Sequence, residues 1–177
     1  MDELLLPAAI KQFQQYKQMG ERTFEQLTDG QLFESANDLS NSIGTIVKHL
    51  WGNMMSRWTD FLTSDGEKDW RQRDAEFDND LGSREVLLQK WEEGWQCLFG
   101  ALNGLGPADL SKMVYIRSQP LTVTDAILRQ LAHYASHVGQ IVYIGKLMAN
   151  EKWETLSIPR GGSAAYLASL QKEGPVS

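Results

Sequence analysis

The sequence predicts an all-α protein: a bundle of four long helices in one domain over residues 1–177, followed by a short C-terminal extension. Two observations lead there. Apolar residues recur at three- and four-residue steps over long segments, and short polar or Gly/Pro-rich breaks separate those segments with no internal repeat.

The first helix is expected over residues 4–27, with Leu6, Ile10, Phe13, Phe24 and Leu27 on one side and Pro7 tolerated only in its first turn. Residues 28–41 read as a turn and entry loop. A second helix should begin after a cap at Ser40 or Ser42 and reach Leu62, because Ile43, Ile46, Val47, Leu50, Trp51, Met54, Trp58, Phe61 and Leu62 form one broad apolar stripe. Residues 63–82 are dense in charge, with Asp65-Gly66 as a turn signal. They read as a solvated surface loop, with room for one docked turn at Trp70 or Phe77.

The third helix is expected over residues 83–105, capped by Ser83, with Val86, Leu87, Trp91, Trp95, Leu98, Phe99 and Leu102 inward and Gly104, Gly106 and Pro107 ending it. Val114-Tyr115-Ile116 suits a short extended segment. Thr122 or Thr124 then caps a fourth helix running to about Asn150. The extension, residues 153–177, holds a turning Ile158-Pro159-Arg160-Gly161-Gly162 stretch and a short helix over 163–170. Cys97, between Trp95 and Leu98, reads as a small core residue, and the six tryptophans as core or dimer-face anchors.

Composition narrows the function classes. Seventeen basic against 23 acidic side chains give a net charge of −6, and no Lys/Arg cluster supplies the footprint of a nucleic-acid binder. No apolar run has the length of a membrane span, the N-terminus lacks the basic region of a signal peptide, and Cys97 is the single cysteine. No nucleic acid, no membrane and a cytoplasmic setting are the expectations.

Chemistry concentrates on the histidines. His133 and His137 stand four residues apart in the fourth helix, which places both rings on one face about 6 Å apart along the axis. His49 lies midway along the second helix, and a bundle can bring these levels together. All three flank their apolar stripes, as suits a cleft. On the residues alone, a three-nitrogen metal site and a set of hydrogen-bonded structural histidines are both open readings.

The segments SIGTIVKHLWGNMMSRWTDFLTSDGEKDWRQRD and LRQLAHYASHVGQIVYIGK, with the late LSIPRGGS, resemble the DinB-like superfamily of four-helix metalloproteins, and within it a bacterial subfamily of unknown function. The resemblance spans nearly the whole chain. It implies an up-down-down-up bundle, commonly a homodimer, and a divalent metal, usually zinc or nickel, on three histidines that fall here on His49, His133 and His137. Some members of the superfamily use low-molecular-weight thiols such as bacillithiol or mycothiol for S-transfer or isomerisation.

Three functional readings follow. A metal-dependent hydrolase needs a general base, yet Tyr134 follows His133 where the HExxH pattern has glutamate, and Asp60 lies about 16 Å along the helix from His49. A thiol S-transferase acting on electrophilic small molecules needs no such base, because coordination itself deprotonates the thiol. A metal-binding bundle without catalysis is the third. Further candidates for the substrate's surroundings are Asn53 and Arg57 on the face of His49, Gln140 one turn after His137, and Tyr115 and Arg117 just before the fourth helix. Arg71 and Arg73 are candidates for recognising the carboxylates of a thiol cofactor.

Overall fold

The computed structural model describes residues 2–173. Residue 1 and the last four residues of the expected extension, 174–177, lie outside the described residues. The chain is mostly helical: α1 (Asp2–Phe24), α2 (Asp29–Phe33), α3 (Ile43–Trp58), α4 (Arg84–Asn103), α5 (Val123–Ala149) and α6 (Ser163–Glu173), with β1 (Met113–Ile116) and β2 (Gln119–Thr122) forming one hairpin. Among the described residues, no helix is long and apolar enough to cross a membrane.

The helix boundaries follow from local chemistry. Ser42, Ser83 and Thr122 each cap a helix, their side chains accepting from the backbone N–H three residues on. α1 starts two residues earlier than expected, so Pro7 stands beyond the first turn. The C-terminal carbonyls of α1 are met by Arg84, whose guanidinium donates to the carbonyls of Phe24 and Leu27. α3 ends at Trp58 rather than Leu62 because Thr59 turns extended and Asp60 takes φ 49°; Leu62 is left 38% exposed. Residues 28–41, expected as loop, contain α2. Its start is tied by Gln31 Oε1, which accepts from both the backbone and the hydroxyl of Thr28, and Leu32 anchors it in the core. Of the neighbouring Val86 and Leu87, both expected inward, Leu87 is buried in the core and Val86 is exposed.

Four long helices share one core. Phe13 packs on Tyr134 with ring centres 5.8 Å apart, and ten residues further along α1 the Thr23 side chain sits against Gly145, so α1 and α5 run the same way. Trp51 bonds Glu93 while Cys97 approaches the Met54 carbonyl at 3.9 Å and Thr59 at 3.7 Å, so α3 and α4 also run the same way. Phe13 meets Trp95 and Phe24 meets Trp91, which sets α1 against α4 in opposite senses. α3 likewise opposes α5, Ile46 lying near Ile144 and Asn53 bonding Tyr134. Phe13, Trp95 and Tyr134 meet at the centre, all fully buried.

The segment 63–82 departs from expectation at one residue. Most of it is exposed, and a short 3-10 turn, Asp74–Phe77, docks at one of the two expected places, but what it carries into α3 is a charge, Glu76, at 5% exposure. Trp70 and Phe77, expected to anchor such a turn, remain about half exposed, and the buried contact is made by the carboxylate. Gly52 on α3 makes room for it, since a Cβ there would meet the Glu76 carboxylate at less than any real contact distance.

The hairpin turns at Arg117 and Ser118, both at positive φ (55° and 60°). Neither is glycine. Asp65 compensates by accepting from both of their backbone N–H groups, at 2.8 and 2.7 Å. β2 went unread because Pro120 argues against a strand, but in a two-stranded hairpin its missing N–H faces an edge.

Candidate metal centre

α3 and α5 bring the three histidines together across their antiparallel contact. His133 Nε2 lies 3.4 Å from His49 Nε2 and 3.1 Å from His137 Nε2, and one ligand atom from each ring falls within 4.8 Å of the other two. Nitrogens bound tetrahedrally to one zinc sit about 3.3–3.4 Å apart. His49 is buried; His133 and His137 are partly so.

The outer ring nitrogens set the tautomers. Glu76 Oε2 lies 2.9 Å from His49 Nδ1, and a carboxylate only accepts, so Nδ1 donates and the Nε2 lone pair faces the centre. Gln140 Oε1 does the same for His137 Nδ1 at 3.1 Å. His133 Nε2 can donate to at most one of its neighbours, which leaves lone pairs facing one another with no proton between them. A cation resolves that repulsion, and the donor set fits a divalent ion such as zinc or nickel. Burial, then the neighbouring His137 and His49, and further Arg57 and Arg71, push His133 down to about 3. Burial, then His49, lowers His137 as well, against a raising hydrogen bond from Gln140. Both rings are therefore neutral at pH 7, the form that binds metal.

Glu76 is the residue that periodicity could not reveal. It lies 27 positions from His49, and Arg71 grips it with two bonds of 2.6 and 2.8 Å. Burial alone would raise its pKa, but the bonds from Arg71 and His49 prevail and hold the carboxyl below the usual range. The ring of Phe77 stacks on that of His49, their centres 5.1 Å apart.

The histidines open on a cleft of about 340 Å³. Asn53 and Arg57 both line it and both are buried. Asn53 Oδ1 accepts from the hydroxyl of Tyr134, which in turn accepts from Trp58 Nε1, both at 3.0 Å. Arg57 donates to the Gly66 carbonyl and to Glu67. Arg117 reaches the cleft from the strained hairpin turn, and Arg71 and Arg73 reach it from the strap over α3. Arg129 and Gln130, one turn before His133, complete the wall; neither was singled out from the sequence, although the one-turn spacing to His133 was a usable signal.

Tyr115 lies elsewhere. Strand alternation buries Val114 and Ile116 and turns Tyr115 outward, half exposed, onto a separate hollow beside Leu62 and Met113. Gln140 touches His137 but does not line the cleft. Asp60 sits past the end of α3, away from the histidines. Cys97 is half-buried beside Thr59, its thiol pushed up by burial, which fits packing.

Among curated proteins, none matches the chain. The model of a family described as "Protein of unknown function (DUF1572)" matches residues 2–162, nearly the whole length. The chain belongs to that DUF1572 family, which is DinB-like.

Proposed function

We propose that this protein is a cytoplasmic, metal-dependent thiol S-transferase acting on electrophilic small molecules, with zinc or nickel held by His49, His133 and His137. The single observation that carries the metal is the convergence of three ring nitrogens within 4.8 Å at the floor of a cleft. The proposal takes the chain as one domain with the up-down-down-up order of DinB-like bundles, which the pairwise helix directions support. It also takes the chain as a homodimer, as the resemblance to DinB-like proteins implies.

A divalent ion on three neutral imidazoles keeps its full charge and acidifies a thiol brought to it. The protein's residues do the rest. His49 and His137 are held in register by Glu76 and Gln140. Asn53, fixed by Tyr134, and the buried Arg57 present polar groups to the bound molecule. In the transfer, the thiol proton passes to water, the sulfur forms a bond to the electrophilic carbon, and the leaving group departs with the electron pair of the bond that breaks.

The transferase is preferred over a hydrolase because no carboxylate lines the cleft among the described residues. Glu76, the nearest acid, has both oxygens committed to His49 and Arg71. A hydrolase that relays protons through a carboxylate base finds none free at that place.

The test is elemental analysis of the protein beside His49→Ala and His133→Ala, then assay of the loaded form with an alkylating fluorogenic probe, with and without added thiol. One equivalent of metal in the parent, lost in both folded variants, together with thiol-dependent consumption of the probe, is the expected result. Metal retention with turnover of esters and no thiol requirement would replace the transferase with the hydrolase. No metal uptake would remove both.

A further inference from the structure

The cleft beside the histidines is strongly cationic in a chain whose net charge is −6. Arg57, Arg71, Arg73, Arg117 and Arg129 all line it. Two carboxylates stand behind this wall: Glu76 pairs with Arg71, and Glu67 bonds Arg57 and Arg117 while lying 3.8 Å from Arg71. Arg73 and Arg129 enter no salt bridge among the described residues. Five guanidinium groups against these two carboxylates, with Asp65 at the Arg117 turn as a third, leave an excess of two positive charges around one small cleft, before any metal is counted.

A second observation is independent of charge. Six buried side-chain polar atoms lack a hydrogen-bond partner among the described residues, and four of them belong to residues of this cleft: Arg57 Nε, Arg71 Nη1, Gln130 Oε1 and His133 Nδ1. The side chains of Arg57 and Arg71 are only 5% and 2% exposed. Buried guanidinium N–H groups are costly to leave unpaired, and their concentration here marks a place built to meet a ligand.

We propose that this arginine wall is an oxyanion-binding subsite, which selects a substrate carrying two or more negative charges as carboxylate or phosphate groups and holds its reactive end toward the histidines. Guanidinium forks match the planar carboxylate and the phosphate face, and low-dielectric walls focus their field on the cleft. Phe77, stacked on His49, is the apolar side chain of the lining. The inference deepens the metal-site reading and rests on it only for where the reacting group lies.

The test is calorimetric titration of the full chain, metal-free and zinc-loaded, with succinate as the dicarboxylate probe and inorganic phosphate as the phosphate probe. Arg73→Gln and Arg129→Gln are the variants, since both side chains are exposed and their replacement leaves the core intact. Zinc retention is measured on the same samples. At least one probe is expected to bind one-to-one, more weakly as salt rises, and about tenfold more weakly in each variant. The probe that answers identifies the carboxylate or the phosphate as the natural group. Binding by the metal-free protein that the variants weaken would uphold the subsite even if zinc were not retained. Zinc retained with neither probe bound, or binding that both variants leave unchanged, would overturn the subsite and leave the metal reading in place.

Discussion

Replacing Gly52 by alanine should loosen the histidine centre without altering a histidine. Gly52 lies on α3 against the Glu76 side chain, and an added Cβ would stand 2.8 Å from its Cδ and 3.2 Å from its Cγ, closer still to the carboxylate oxygen. A terminal carboxylate usually swings aside at small cost. This one is buried and committed, so moving it strips His49 Nδ1 of its acceptor and Arg71 of two bonds. Loss of such an outer partner weakens metal binding about 10–100-fold, or about 1.4–2.8 kcal/mol. Alanine also returns about 1 kcal/mol of helix propensity to the fold, so global stability should fall less than zinc affinity. Competition with a chromophoric chelator reads the affinity, and urea midpoints read the stability. In a Glu76→Ala background the effect of Gly52→Ala on zinc should vanish, because the group it displaces is already gone. Wild-type zinc affinity in Gly52→Ala, or an equal loss in both backgrounds, would refute the reasoning.

Three further outcomes follow from the same geometry. In the metal-free protein, His133 has its ordinary value of 6.5 when unfolded and about 3 when folded, so the unfolded chain takes up a proton that the folded one refuses. Stability is then fully present above pH 6.5 and falls as pH drops from there toward 3; urea midpoints that stay flat across that window would contradict it. Tyr134→Phe leaves Trp58 Nε1 and Asn53 Oδ1 buried without their partner and should lower the unfolding free energy by about 2 kcal/mol, with the same chelator affinity or weaker. Ser118→Gly removes a side chain from φ 60° while keeping the backbone bond to Asp65, and a gain of about 1 kcal/mol in denaturant melts is expected, with a loss counting against the strain argument.

What could be read from the residues was whatever depends on near neighbours. Ser42, Ser83 and Thr122 announce three helix starts because a cap and its N–H partner are three residues apart. His133 and His137 share a face through helical spacing alone. Their meeting with His49 needed the antiparallel contact of α3 and α5, for which the family resemblance was the guide. Glu76 escaped because a charge-rich segment looks solvated until Arg71, brought by folding, neutralises that carboxylate and His49 donates to it. α2 escaped because five residues are too few to show a period, and its anchor is a single leucine. Tyr115 was misplaced by proximity in sequence: strand alternation, set by the partner strand, turned it outward.

His49 and His133 stand 84 positions apart along the chain, and everything between them, α4 and the hairpin included, lies on the path that joins them. An ion gripped by both would bind the folded chain and find no such grip on the unfolded one. At a free concentration a thousand times its dissociation constant, that preference adds about 4 kcal/mol to stability, a large share of what a domain of ordinary size possesses. Metal supply would then govern how much of the protein survives quality control, and a cell short of the ion would lose the protein by turnover as well as by inactivity.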